Sequence, residues 1–165
     1  MSKQRDIRSL GTEMLGVLWA LYLTRTIRLG GGVALENLRE LKFLDLLNRD
    51  IILRLCKLRD DDSRNLSFQQ VWKSERKRST RLAALDGVEV QIRRFGKLTQ
   101  NLERHRSNYV AHLAKHAPDD LSPAFEITEA TLLALTIVDR LLGERCEYTI
   151  EGIDLREAAF HAVEA

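Results

Sequence analysis

The chain has 165 residues, of which 44% are hydrophobic and 30% charged, and its formal net charge is +2. This length predicts a single domain, residues 1–165, and the apolar content excludes a disordered chain. The longest charge-free run near the N-terminus, residues 14–24, is shorter than the roughly 20 residues of a membrane-spanning helix, so we expect no membrane partner. Cys56 and Cys146 are isolated in the sequence, which predicts reduced thiols and a cytoplasmic location.

The charges are unevenly distributed along the chain. Residues 73–106 carry a net charge of +6, whereas residues 107–165 carry −7. A basic middle segment is compatible with an anionic partner such as nucleic acid, and equally with an acidic protein surface. The charge distribution alone does not distinguish a nucleic-acid partner from an acidic protein partner.

Apolar residues recur every three or four positions in the first half of the chain, which predicts helices and almost no strand. The first helix is expected over about residues 12–29, because the three glycines at 30–32 disfavour its continuation. A second helix is expected from about residue 35 to the acidic cluster at 60–63. A third begins near Ser67, a favourable N-cap, and continues into the basic stretch 73–81.

The second half of the chain predicts three more helices. The fourth covers roughly residues 87–114, and Pro118 and Pro123 bracket the loop that follows. The fifth starts after Thr128, with Ile127 and Leu132 as a hydrophobic staple, and ends at residue 143. A last short helix is indicated by a capping box at residues 154 and 157. The pattern as a whole predicts an all-α antiparallel bundle.

Residues 104–116 hold three of the four histidines. On an ideal helix, the side chains of His105, His112 and His116 share one face, and Arg106 lies about 120° from His112. Three interpretations are open. The histidines are partly buried structural residues, or His112 and His116 bind zinc, or arginine and histidine act together on an RNA phosphodiester.

The segment from Arg106 to His112 resembles the RxxxxxH signature of the HEPN superfamily. Residues 58–68 are similar to the acidic, serine-containing loop that precedes a helix in the abortive-infection branch of that superfamily. The resemblance extends over about residues 10–145.

This resemblance implies an antiparallel four-helix-bundle core with additional helices, a homodimer, and a cleft shared by the two motif copies. Many such proteins are metal-independent endoribonucleases of toxin–antitoxin or phage-defence systems, with RNA as substrate, no cofactor and no metal. An antitoxin or a nucleotidyltransferase would then be a further partner. His112 would assist removal of the ribose 2′-hydroxyl proton, Arg106 would hold the scissile phosphate, and Ser107 occupies the position that orients this pair. The alternative is a catalytically inactive HEPN domain that acts as a binding or dimerisation module.

The helix that carries the motif also predicts where RNA binds and where a second chain docks. The apolar side chains Leu98, Leu102 and Tyr109 beside the motif predict that this helix forms the dimer interface. We expect the RNA backbone to contact the polar residues Arg94, Lys97, Arg104 and Asn108.

Overall fold

The computed structural model describes residues 3–27, 35–59, 66–78, 85–112 and 124–161. This part of the chain is mostly helical, which confirms the all-α prediction, and none of its helices is long and apolar enough to cross a membrane. Its elements are α1 (Lys3–Thr26), α2 (Leu35–Arg59), α3 (Phe68–Arg78), α4 (Val88–His112), α5 (Ala124–Leu142), β1 (Thr149–Ile150), β2 (Ile153–Asp154) and α6 (Leu155–Ala158).

Helices α1 and α2 pack against each other in antiparallel orientation. Glu13 near the middle of α1 forms ion pairs with Arg54, at 3.1 Å, and with Lys57 near the end of α2. The Arg54 guanidinium also lies over Gly16. Later positions of α1 therefore contact earlier positions of α2, as expected for antiparallel helices. The short connection between the two helices fits this orientation.

The ends of α1 and α5 and the start of α4 lie at one end of the molecule, which we call the hairpin end. Near the end of α1, Arg25 Nε donates to the carbonyl oxygen of Ala159, 3.0 Å away. The adjoining α6 is held to the end of α5 by Arg156 and Asp139. Arg140 of α5 lies against Gly87, immediately before α4. Because α2 also starts at this end, it runs parallel to α4, which differs from a fully antiparallel bundle.

The core joins side chains from all six helices. Phe68 of α3 meets Phe95 of α4 edge to face, with 5.0 Å between ring centroids. Leu102 is fully buried and Leu98 packs against the same core, so these two expected interface residues already have partners within the chain. The largest fully buried side chains are Phe68, Phe95, Leu10, Met14, Leu18, Ile51, Leu55, Leu58, Leu102, Ile127, Ile137 and Leu155.

Two helices begin earlier than the sequence predicted. Helix α1 starts at Lys3 instead of about residue 12, because its polar first turns consist largely of residues that tolerate helix well. Helix α5 starts at Ala124, immediately after Pro123, and proline is favoured at helix beginnings. The predicted staple is therefore wrong: Ile127 is a core residue inside the helix, and Leu132 is 48% exposed.

The predicted caps are largely confirmed, and one element was missed. Ser67 caps α3, since its Oγ accepts from the backbone N–H of Gln70. Strands β1 and β2 form a hairpin through Glu151 and Gly152, which both have positive φ, as two-residue hairpin turns require. Asp154 ends this hairpin and caps α6, accepting from the backbone N–H of Arg156 at 2.8 Å.

The C-terminal hairpin is held to α5 by one carboxylate. Asp139 accepts from both terminal nitrogens of Arg156, at 3.0 and 2.6 Å, and from the backbone N–H of Cys146 at 2.9 Å. The hydrogen bond to Asp139 raises the pKa of Arg156. The adjacent Tyr148 phenol is buried. Its burial is the largest cause, and its interaction with the neighbouring Cys146 the second, of a Tyr148 pKa well above the usual value.

We predict that Asp139→Asn lowers the free energy of unfolding by about 2 kcal/mol, because it leaves the mostly buried Arg156 guanidinium without its carboxylate. Urea unfolding followed by circular dichroism measures the loss. Glu89→Gln is the control, because it breaks an exposed pair with Arg93 and should cost about 0.5 kcal/mol or less. Equal effects of the two variants would contradict this role for Asp139.

We further predict that Tyr148 makes the fold sensitive to alkali. An exposed phenol in the unfolded chain loses its proton near pH 10, whereas the folded Tyr148 keeps it. Its contribution to stability is therefore complete below about pH 10 and is lost as the pH rises above that value. Urea unfolding at pH 8 and pH 10.5 should show a smaller loss for Tyr148→Phe than for the wild type, with Tyr22→Phe as control. An unchanged pH dependence in Tyr148→Phe would refute it.

Candidate nucleic-acid interface

Helix α4 carries every residue that the sequence singled out for RNA chemistry. Its continuous backbone includes the predicted catalytic residues and Asn108, but from residue 105 onward the side chains lie outside the described part of the chain. The predicted catalytic residues are Arg106, Ser107 and His112. His116 lies outside the described residues altogether.

The register of α4 places Arg106 and His112 on different faces. A helix turns about 100° per residue, so positions 11 or 18 residues apart share nearly the same face. Arg106 follows Val88 by 18 residues and Phe95 by 11, and both of these side chains are fully buried. His112 follows the exposed Arg94 by 18 residues. By register, then, Arg106 continues the core-facing side of α4 and His112 continues its solvent-facing side.

The end of α2 fixes the position of α4 just before the motif. The Cys56 Sγ lies 3.7 Å from the Thr99 carbonyl oxygen, and Arg59 forms an ion pair with Glu103. Thr99 itself is buried, and its hydroxyl donates to the Phe95 carbonyl oxygen at 2.8 Å. Among the described contacts, the Arg59–Glu103 pair is the last along α4. The motif follows it at the end of the molecule opposite the hairpin, which we call the motif end.

The predicted RNA contacts on α4 differ in their surroundings. Arg94 forms an ion pair with Glu129 of α5, so its charge is already partly compensated. Lys97 and Arg104 are exposed, and neither forms an ion pair with another described residue. Seven residues separate them, so they lie within about 20° of each other on one helix face. This face is the part of the predicted interface that the structure leaves open to an anion.

A second basic face, which was not among the predicted RNA contacts, lies on α3. Lys73, Arg76 and Lys77 are exposed there, while Trp72 of the same helix is buried. The Arg76 guanidinium lies over the Trp72 ring, 5.3 Å from its centroid. The basic composition of residues 73–81 is the sequence signal for this face, whereas the predicted RNA contacts all lie on α4. Trp72 is a packing residue, so it does not offer a ring on which bases could stack.

Metal ligands do not cluster in the described part of the chain. None of its groups of histidine, cysteine, aspartate and glutamate side chains could hold a metal ion with three ligands. The predicted zinc ligands His112 and His116 both lie outside the side chains that the structure describes, so the zinc interpretation stays a prediction. Cys56 and Cys146 are half-buried thiols.

Comparisons with protein-family models, curated proteins and solved structures give no match for this chain. Membership of the HEPN superfamily therefore stays a prediction that depends on the motif and the upstream loop.

Proposed function

We propose that this protein is a metal-independent endoribonuclease of a toxin or phage-defence system, with α1, α2, α4 and α5 as a HEPN-like four-helix-bundle core. One observation supports this proposal most directly: α4 remains an unbroken helix through residues 106–112, beyond its last described contact with another helix. The exposed side chains of Lys97 and Arg104 precede this segment on the same helix. A cytoplasmic homodimer that meets RNA, with an antitoxin or nucleotidyltransferase controlling it, belongs to the same proposal.

The proposed chemistry needs one base and one cation. Imidazole titrates near neutrality, so His112 is suited to accept the proton of the ribose 2′-hydroxyl. The 2′-oxygen then attacks the adjacent phosphorus, and the bond from phosphorus to the 5′-oxygen breaks. The departing 5′-oxygen takes up a proton, which leaves a 2′,3′-cyclic phosphate and a 5′-hydroxyl. Arg106 offsets the charge that builds up on the phosphate oxygens. Ser107 orients this pair, and Asn108 contacts the RNA backbone.

A site that uses both residues needs two chains. Because Arg106 and His112 stand about 120° apart on one straight helix, a single copy does not direct both side chains to one phosphate. A two-fold axis near the motif end would place Arg106 of one copy beside His112 of the other. The shared cleft is thus the arrangement that reconciles the helix register with the chemistry.

We predict that Arg106→Ala and His112→Ala each abolish RNA cleavage in the presence of EDTA while leaving helicity unchanged. If the cleft is shared, mixing the two inactive variants should restore about a quarter of the wild-type rate, since half of the dimers are mixed and each has one intact site. The measurement is single-turnover cleavage of a labelled RNA after subunit exchange. Wild-type rates in either variant would refute the catalytic assignment, and a lack of rescue would refute the shared cleft.

We also predict that Lys97 and Arg104 bind RNA through its phosphates. Each lost phosphate contact should make the salt dependence of binding to single-stranded RNA shallower by about 0.7 in the log–log slope. The double variant Lys97→Ala, Arg104→Ala therefore binds more weakly at low salt, to a similar extent for all sequences. Arg94→Ala is the matched control, because Glu129 already compensates Arg94 and a smaller change is expected. Fluorescence anisotropy with 2′-deoxy-substituted RNA measures both slopes, and equal slopes in wild type and double variant would contradict this assignment.

A specific observation favours the second candidate, a catalytically silent binding or dimerisation module. Of the eight large apolar side chains that the described residues expose, five belong to α2, and exposed apolar surface is typical of proteins that bind a partner. RNA cleavage with EDTA present separates the two candidates, because the silent module would bind a partner and leave RNA intact.

A further inference from the structure

Phe125, in the first turn of α5, presents its aromatic ring to solvent. It is 79% exposed, more than any other large apolar residue in the described part of the chain. The ring contacts found there involve other aromatic side chains, not Phe125. A phenylalanine normally stabilises a fold by burying its ring. The Phe125 ring contributes little of this kind and is accessible to a partner.

Two contacts define how α5 lies along α4. Arg94 of α4 pairs with Glu129 of α5 at 2.5 Å. Closer to the hairpin end, Gly87 lies against Arg140, which comes later in α5. Earlier positions of α4 thus meet later positions of α5, so the two helices are antiparallel.

This register places Phe125 between two cations of α4. Phe125 precedes the two α5 residues of these contacts by four and 15 positions. The same counts forward along α4, from the partner of each, reach residues 98 and 102. Both levels lie between Lys97 and Arg104.

Phe125 and the two cations also face the same side of the bundle. On α5, Phe125 stands about 40° from Glu129, opposite the buried side of the helix. On α4, Lys97 and Arg104 stand about 60° and 80° from Arg94, again opposite the buried side. Neighbouring helix axes are about 8–10 Å apart, so the ring and the cations lie side by side. We call Lys97, Arg104 and Phe125 the α4–α5 face.

The chemistry of the α4–α5 face matches single-stranded nucleic acid. Proteins that bind single strands combine cations along the sugar–phosphate backbone with aromatic rings on which bases stack. Lys97 and Arg104 form no ion pair with another described residue, whereas nearby Glu129 and Glu89 are each paired with an arginine of α4. The two cations are therefore available to phosphates on either side of the ring.

A protein partner fits this surface less well. The described residues of α4 and α5 expose only three large apolar side chains, Val90, Phe125 and Leu132. Three side chains supply a small part of the roughly 800 Å² that each partner buries in a stable interface. Lysine is also depleted from the centre of such interfaces, and Lys97 lies at the centre of the solvent-facing side of α4.

We infer that Phe125 stacks on one unpaired base of a single-stranded RNA, while Lys97 and Arg104 hold the phosphates that flank this base. The inference rests on RNA binding in the proposed function and adds the class of substrate. An unpaired base can offer its face to a side chain, whereas bases within a duplex stack on each other. Arg106 follows Arg104 by two residues, so a strand held on the α4–α5 face leads to the predicted catalytic motif.

The first test separates stacking from charge. Phe125→Ala should weaken binding of a 2′-deoxy-substituted single strand by about fivefold or more. Its salt dependence should equal that of the wild type, because a lost ring changes no counterion release. Phe125→Trp should restore the affinity. Phe43→Ala is the matched control, because this phenylalanine of α2 is 45% exposed but lies toward the hairpin end, and its affinity should be unchanged.

The second test removes the base instead of the ring. A strand of the same length that has the sugar–phosphate backbone but no bases should bind the wild type more weakly than the complete strand. Phe125→Ala should discriminate between the two strands by a factor about fivefold smaller than the wild type does. Fluorescence anisotropy measures each affinity, and circular dichroism checks that every variant is folded.

The outcomes distinguish this inference from the proposed function. Equal affinities of Phe125→Ala and the wild type for the complete strand would overturn the stacking role and leave the proposed endoribonuclease intact. A wild type that binds no single strand would overturn both. A lower mass of Phe125→Ala in light scattering would assign the ring to a protein interface and refute the inference. A wild type that binds strands through Phe125 without cleaving RNA supports it and counts only against the endoribonuclease.

Discussion

The packing of α1 on α2 is organised around Arg54 of α2, which lies across Gly16 of α1. A Cβ at position 16 would be 2.7 Å from the Arg54 Nη1, so any other residue there would push the end of the Arg54 side chain away from the α1 backbone. Asp50 and Glu13 hold the guanidinium from both helices, and the hydrogen bond to Asp50 chiefly raises the pKa of Arg54. A glycine inside a helix costs about 1 kcal/mol relative to alanine. The ion pairs and the close helix contact offset that cost and set the register of α1 on α2.

That register determines which surfaces remain open. If α2 were shifted by two turns along α1, Leu38 and Leu41 would lie beside α1 instead of beyond its end. As it stands, the overhang exposes apolar side chains at the hairpin end, while Arg59 meets Glu103 near the other end and positions α4 just before the motif. The exposed apolar residues at the start of α2 therefore lie toward the hairpin end, and the motif lies toward the opposite end.

The sequence predicted the helices well wherever apolar spacing or a side-chain cap marked them. Ser67 was correctly identified as a cap because its hydroxyl has a local role that depends on only three following residues. The start of α1 was placed too late because its first turns are polar and show no apolar stripe. The hairpin was missed because each strand has only two residues, too few for an alternating pattern, and because it is stabilised by distant groups such as Asp139. Long-range contacts of this kind leave no local signal.

The sequence predicted the angular positions of the candidate site residues on their helix, but not which groups surround them. The 120° between Arg106 and His112 follows from spacing alone, and the buried Val88 and Phe95 add which of the two faces belongs to the core. An arginine on a core-facing register at the end of a helix has two physical solutions. Either a carboxylate or phosphate accompanies it, or the helix end lies against something polar, because an unpaired guanidinium is not buried without large cost. The same arginine is thus what a shared RNA cleft would use and what a purely structural motif would have to neutralise, so its partner decides between the two candidate functions.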